Sequence, residues 1–421
     1  MLNAGVIRGL SLLLPVLLLW LAWLKASPDR RLAGAAVLAF LWQLPALLLV
    51  QELNLRAGWW HFEANGGLLR DMPADLWLGW AMLWGAVPAI GLRTVPLWLS
   101  ALIMIAADMA LMPLCAPVVR LHENWCTGEF IAAAIALVPG LLFARWTAAN
   151  THLSSRVVLQ FLAFSGLMLW VIPDIILSQT SDSWQRALSR PWAEQTVIFS
   201  LAALFAVPAL SAVQEFCQRG QGTPVPLDPP RRFVTSGPYA YLVNPMQTCM
   251  ALVFLTWGWW TGSIWVALVS ILAVTGGAGI LGWNERRDLE ERFGETWSDY
   301  HREMKSWLPR RRPRVVVPAR LYVAESCTQC RSLGAWLAKH CLTGLEILPA
   351  ENHPSRQLTR LTYEAPGWNE SGIAALARSF EHINLGWAWI GWTMRLPVVR
   401  FVLQWITDLS GGGPRKLPVK S

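Results

Sequence analysis

Two stretches of this 421-residue chain hold residue types at spacings that suit chemistry. The first runs from Gly220 to Pro313. It opens with Gly222-Thr-Pro-Val-Pro-Leu-Asp-Pro-Pro230, which cannot be helical because proline lacks the N–H donor and clashes with the preceding turn. Gly237-Pro238-Tyr239-Ala-Tyr241 and Asn244-Pro245-Met-Gln247 follow. The Gly-Pro and Asn-Pro pairs set turns, which leaves backbone groups and the Asn244 amide available to a ligand. After two apolar blocks comes Asn284-Glu285-Arg286-Arg-Asp288-Leu289, then Phe293-Gly294, Trp297 and Tyr300. Glu285 stands just beyond the second block, placed to bind hydroxyl or ammonium groups. A two-span hairpin returns to the membrane face it left, so loop 220–245 and helix 284–305 are expected to meet at that boundary. The plainer reading is that any polytopic protein needs Gly and Pro in its joints and charges at its helix ends.

The second stretch is Cys327-Thr-Gln-Cys330. It follows a predicted strand, Arg320-Leu-Tyr-Val-Ala, and precedes helical periodicity from Ser332 to His340, with a further strand at Leu345-Glu-Ile-Leu. At such a junction the helix N-terminus lowers the pKa of the first thiol, and the second resolves a mixed disulfide. The other reading is half of a zinc site with His340 and Cys341, although both fall far along the same helix pattern. No other metal site is expected.

The elements that must position these residues are mostly apolar. The chain is 54% hydrophobic and 15% charged, where soluble domains carry about 25% charged residues. Its apolar residues come in blocks of about 20, the length that crosses a hydrocarbon core about 30 Å thick. Spans are predicted near 4–24, 32–51, 75–92, 97–118, 129–145, 157–178, 196–215, 246–261 and 263–282. Lys25 is followed by no small-residue cleavage pattern, so the first block reads as a retained helix. Many of the 27 Trp sit at block ends, where indoles favour the interface. Lys25, Arg30, Arg31, Arg93, Arg145, Arg156, Arg219, Arg231 and Arg232 fall in one set of alternate joints. The positive-inside rule then puts the N-terminus outside and the C-terminal third in the cytoplasm. Cys115 and Cys126 fall near the outer face, where a disulfide can persist. The net charge of +8 gathers near 310–320 and at block ends, which suits an anionic membrane surface better than nucleic acid. Asp108 and Asp174 lie in or near spans, where carboxylates are costly and often functional. A basic, proline-bounded linker begins at Arg310, and the Trp-rich stretch 383–409 reads as helices packed on the last domain or lying in the interface.

The order of residues from Gly222 to Tyr300 resembles the isoprenylcysteine carboxyl methyltransferase and phospholipid methyltransferase superfamily of membrane enzymes. Gly222–Pro230, Gly237–Tyr239, Tyr241, Asn244–Met246, Glu285, Leu289, Phe293–Gly294 and Tyr300 match the motifs of its bacterial members in order and spacing. The resemblance implies that S-adenosylmethionine binds from the cytosolic side between loop and helix, held by Gly237, Pro238, Tyr239, Tyr241, Asn244, Pro245, Gln247 and Glu285. Catalysis is implied at Glu285 and Arg286, on a hydrophobic or lipid-linked acceptor arriving from the bilayer. Four positions depart from the pattern: Val243 replaces Arg, Gln247 replaces Tyr, Arg286 replaces the second Glu, and Trp297 replaces Tyr. Tyr322-Val-Ala-Glu-Ser-Cys-Thr-Gln-Cys330, with Arg395-Leu-Pro397 and Arg400, resembles the thiol-disulfide oxidoreductase family named for its Asp-Cys-Cys signature. Ala324-Glu325 stands where that family has Asp-Gly. This second resemblance implies redox cysteines at Cys327 and Cys330.

The expected fold is therefore an all-α polytopic membrane protein of about nine spans with a small C-terminal α/β thioredoxin-like domain. Residues 1–180 form N-terminal spans, 181–313 the methyltransferase-like core, and 314–421 the cytosolic domain. Two functions compete. One is S-adenosylmethionine-dependent methyl transfer at a bacterial inner membrane. The other is a membrane-anchored thiol redox or scaffold protein, acting on a thiol partner, whose methyltransferase-like bundle does not turn over.

Overall fold

The computed structural model describes residues 3–225, 228–278 and 280–415, except for the side chains of 276–285. Two compact units are built from interleaved segments: Met1–Ser189, Gln221–Arg231 and Thr261–Val266 form one, and Arg190–Gly220, Arg232–Trp260 and Ala267–Ser421 the other.

Among the described residues, six helices are long and apolar enough to cross a membrane: Ala4–Ala26, Arg30–Ala57, Leu97–Cys115, Trp125–Ala149, Leu153–Ser178 and Trp192–Gly220. Asn3 and Asp29 cap the first two, their carbonyl and carboxylate oxygens accepting from the Gly5 and Leu32 N–H groups at 3.0 and 2.7 Å, which satisfies donors that a helix start leaves open. Three of the nine predicted spans take other forms. Residues 75–92 break at Gly85 into Ala74–Trp84 and Ala86–Gly91. A side chain at Gly85 would put Cβ 2.8 Å from the Phe40 backbone, so the residue at the break must be small. Residues 246–261 form the 17-residue helix Pro245–Thr261, and Ile264–Ala278 follows it.

In the first unit the loops are pinned by charge. The Arg70 guanidinium donates twice to Asp174 at 2.8 and 3.0 Å and once to Glu52 at 2.8 Å, and the Trp184 indole donates to Asp174 at 2.6 Å. Asp174 is thus a structural ion pair. Asp108 is buried, with its Oδ2 unpartnered among the described residues. Cys115 and Cys126, expected as a candidate disulfide, are both free thiols.

In the second unit the C-terminal region carries a four-stranded sheet. Ala319–Val323 pairs in parallel with Leu345–Pro349 on one side and antiparallel with Thr362–Ala365 on the other, and Trp368–Ser371 completes it. Helix Thr328–Ala338 joins the two parallel strands, and Ile373–Phe380 follows the hairpin. Leu321, Val323, Leu337, Tyr363 and Ala375 form the core between sheet and helices. The two predicted strands and the helix between them are present. The stretch 383–409 resolves into helices Leu385–Arg395 and Pro397–Thr407, divided at Leu396 because Pro397 fits the first turn of a helix but not its interior.

Candidate active site

The turn Gly237–Ala240 and the start of helix Pro245–Thr261 place the predicted donor-binding residues. Gly237 adopts φ +62°, and a Cβ there would lie 2.7 Å from Glu215 Cγ, so only glycine lets the loop sit against this carboxylate. The Tyr239 ring stacks on Phe216 with centroids 4.9 Å apart. Tyr300, from the helix predicted to meet this loop, donates its hydroxyl to the carbonyls of Tyr239 at 2.8 Å and Leu242 at 3.3 Å. The linker closes the other side: the Val243 and Asn244 N–H groups donate to Lys305 and Ser306, and the Arg310 and Arg314 N–H groups donate to Tyr241 and Ala240. Loop 232–245 and helix 284–305 therefore do come together. Residues 221–231 of the predicted loop pack within the first unit, where Asp228 forms a buried ion pair with Arg156.

Helix Ile280–Glu303 is interrupted at Gly294, whose φ of +50° and ψ of −127° suit a residue without Cβ. The break folds Trp297 and Tyr300 onto Phe233, with ring centroids 5.9 and 5.2 Å away. Val243 is buried in the same apolar cluster as Trp297. Two departures from the family pattern thus occur together: an apolar Val243 in place of a cation, and a larger indole in the cluster that surrounds it.

Two polar side chains at this helix start are uncommitted. The Asn244 carbonyl accepts from the Thr248 N–H and hydroxyl, but its amide makes no hydrogen bond among the described residues. One turn on, Gln247 Oε1 is buried and unpartnered. An orphaned buried acceptor costs about 1–3 kcal/mol unless a ligand or water meets it. Tyr241, by contrast, is already engaged. Its hydroxyl donates to the Glu381 carbonyl at 2.7 Å, and burial pushes its pKa up. Glu285, predicted as the key carboxylate, has its side chain outside the described residues. Arg286 is exposed, and its charge, after burial, helps lower the pKa of His301.

Beneath the loop lies an ion network that sequence reasoning missed. Ser236 donates to Glu215 at 2.5 Å, and Glu215 pairs with Arg378 at 2.6 Å and Arg395 at 2.7 Å. Both arginines also pair with Glu381 at 3.1 Å, and Arg378 reaches Glu370 at 3.2 Å. Arg219 pairs with Glu370 and lies 3.5 Å over the Trp368 ring. Glu215, Arg378 and Arg395 are each at most 1% exposed. Burial alone would lower the Arg378 pKa, but Glu215, Glu381 and Glu370 more than offset it and raise it well above its usual value. Burial is likewise outweighed at Glu370, which Arg378, Arg395 and Arg219 hold below the usual range. The available signal was Glu215 itself, a carboxylate in an otherwise apolar span.

Residues 198–296 match the phospholipid methyltransferase family model. With the six apolar helices, the match supports a multi-pass membrane protein in which residues 198–296 are similar to phospholipid methyltransferases. It covers most of the span Trp192–Gly220, the loop, the hairpin and the first part of the charged helix, and it ends before Tyr300 and the C-terminal sheet. Comparison with curated proteins and with solved structures returns no match.

At the cysteine pair, the Cys330 N–H donates to Cys327 Sγ at 3.3 Å. The Cys330 thiol and the adjacent N–H groups lower the Cys327 pKa, while burial pushes Cys330 up to about 11. Glu351, unremarked in the sequence, accepts from the Glu325 and Ser326 N–H groups at 3.1 and 3.0 Å and fixes the turn before Cys327. Burial would raise its pKa, but these donors hold it at about 2. Among the described residues no three His, Cys, Asp or Glu side chains are grouped to hold a metal ion.

Proposed function

We propose that this protein transfers a methyl group from S-adenosylmethionine to a hydrophobic or lipid-linked acceptor at the cytosolic face of the membrane. The observation that carries this reading is the family match over residues 198–296, which takes in the loop that holds Asn244 and the first part of the charged helix. The residues present fit the donor. The free Asn244 amide and the orphaned Gln247 Oε1 can meet amino, carboxylate or hydroxyl groups. Glu285 would add a carboxylate for the ribose hydroxyls or the ammonium. The Tyr239 ring, stacked on Phe216, and the Tyr241 hydroxyl, bonded to the Glu381 carbonyl, hold the loop's shape. When bound, S-adenosylmethionine supplies an electrophilic methyl on a sulfonium. The protein's part is then mostly alignment of donor and acceptor, which is worth several kcal/mol of barrier and asks for little acid–base help.

The asymmetric thiols favour a second activity in the same chain. The strand–helix–strand and hairpin order of the C-terminal sheet supports a thioredoxin-like reading. Cys327, with its lowered pKa, would attack a partner disulfide as thiolate. Cys330 would then displace the mixed disulfide, so that the partner gains the two electrons the dithiol loses.

Calorimetric titration of the purified protein with S-adenosylhomocysteine tests the donor site. Micromolar binding should fall at least tenfold in Asn244→Ala and in Glu285→Ala. No binding by folded wild type would leave Cys327–Cys330 as the chain's only candidate chemistry.

A further inference from the structure

Helix Pro397–Thr407 is amphipathic in an inverted sense. One side of it is tied to its own domain: Gln404 Oε1 accepts from the Ile373 N–H at 2.9 Å, the Gln404 amide donates to Asp408 at 2.8 Å, and Asp408 is held by Arg360. The opposite stripe, Val398, Phe401, Val402, Trp405 and Ile406, follows the i, i+3, i+4, i+7, i+8 rule and is exposed throughout, with Val398 at 76% and Phe401 at 72%. Such a face needs an apolar partner.

The preceding helix shows which one. The Trp389 indole donates to the Leu204 carbonyl at 2.9 Å, and the Gln214 amide donates to the Arg395 carbonyl at 3.3 Å. Leu204 and Gln214 both lie on the apolar helix Trp192–Gly220. At 1.5 Å per residue they stand roughly 24 and 9 Å from its Gly220 end. Helix Leu385–Arg395 thus runs along the span, from near its middle toward its Gly220 end. The turn at Leu396 begins the next helix within about 10 Å of that end, and an interfacial helix buries its apolar face about 5–10 Å into the headgroup boundary.

We propose that Pro397–Thr407 lies in the membrane interface with this stripe in the acyl chains, so that the C-terminal domain is docked on the bilayer by its own surface as well as by the linker from Arg310. The occupant is lipid, because the helix continues an element already seated against a membrane-crossing helix. The proposal does not depend on methyl transfer.

The test places p-benzoylphenylalanine at Phe401 or Trp405 of the full-length protein in phosphatidylcholine–phosphatidylglycerol nanodiscs, with Lys339, an exposed residue just after helix Thr328–Ala338, as control. Irradiation followed by mass spectrometry should give lipid adducts at 401 and 405 at least fivefold above position 339. Cross-links between two copies of the chain, or lipid adducts no more frequent than at 339, would overturn the proposal.

Discussion

At the residue scale, the notable finding is how few of the motif's side chains are left free. Tyr239, Tyr241 and Tyr300 build the loop, and Gly237 admits Glu215. A buried ion network adds little net stability compared with an apolar replacement of the whole, but removing one member leaves an uncompensated charge and costs about 3–5 kcal/mol. Glu215→Ala leaves Arg219, Arg378 and Arg395 with only Glu370 and Glu381 as acidic partners among the described residues, one positive charge in excess. It should lower thermal stability in detergent by that order, while the double variant with Arg378→Ala should lose less than the sum of the singles, a coupling that a double-mutant cycle measures. Independent, additive losses would show that the network is not a unit. None of this partnership was legible, because Arg378 and Arg395 follow Glu215 by more than 160 residues. A buried imidazole gives a pH signature. His382 shares a hydrogen bond with the Tyr363 hydroxyl at 2.9 Å and donates to the Thr343 carbonyl at 2.7 Å, and burial lowers its pKa to about 4. Between pH 6.5 and about 4 the unfolded chain therefore binds the extra proton. Stability is full above pH 6.5 and declines as pH falls toward 4, by up to roughly 3 kcal/mol. Hydrogen-exchange protection across 343–382 should fall over that window and not above it.

At the scale of elements, the decisive one is the charged helix after the hairpin. The helix expected over 284–305 is present as Ile280–Glu303, but its local pattern hid the break at Gly294. The break is conformational rather than steric: a Cβ at Gly294 would meet nothing within 4 Å. Gly294→Ala should therefore cost about 1–3 kcal/mol from backbone strain alone and loosen the packing of Trp297 on Phe233, seen as a lower melting temperature with a red-shifted tryptophan signal. An unchanged melt would mean that the chain can straighten there without loss. The C-terminal elements show a similar mix. Cys327-x-x-Cys330 between a strand and a helix was readable from local pattern. The hairpin Thr362–Ala365 and Trp368–Ser371 was passed over, although Pro366-Gly367, with Gly367 at φ +79°, is an ordinary turn signal. The nine predicted spans fared unevenly because block length alone does not show where a helix breaks, as at Gly85 between Ala74–Trp84 and Ala86–Gly91.

At the scale of the whole molecule, residues 221–231 belong to the first unit, while the second holds the turn Gly237–Ala240, Asn244 and the charged helix together with the C-terminal sheet. Its parts are joined by Glu215, Arg378 and Arg395 and by the linker that pairs with Ala240 and Tyr241. The family match ends at residue 296, yet Tyr300, Ser306 and Arg314, which complete the loop, lie beyond it. A chain cut near 310 would lose Arg314 and, with Arg378 and Arg395, the arginine partners of Glu215, and so more than its cysteine pair. The central claim is methyl transfer at Asn244 and Glu285. It is tested most directly by incubating membranes that carry the full-length protein with S-adenosylmethionine labelled in its methyl group and counting label in the organic extract. The account predicts label above that of membranes lacking the chain, falling at least tenfold in Asn244→Ala and Glu285→Ala. Label equal to the background, from protein that is folded and still binds S-adenosylhomocysteine, would contradict it.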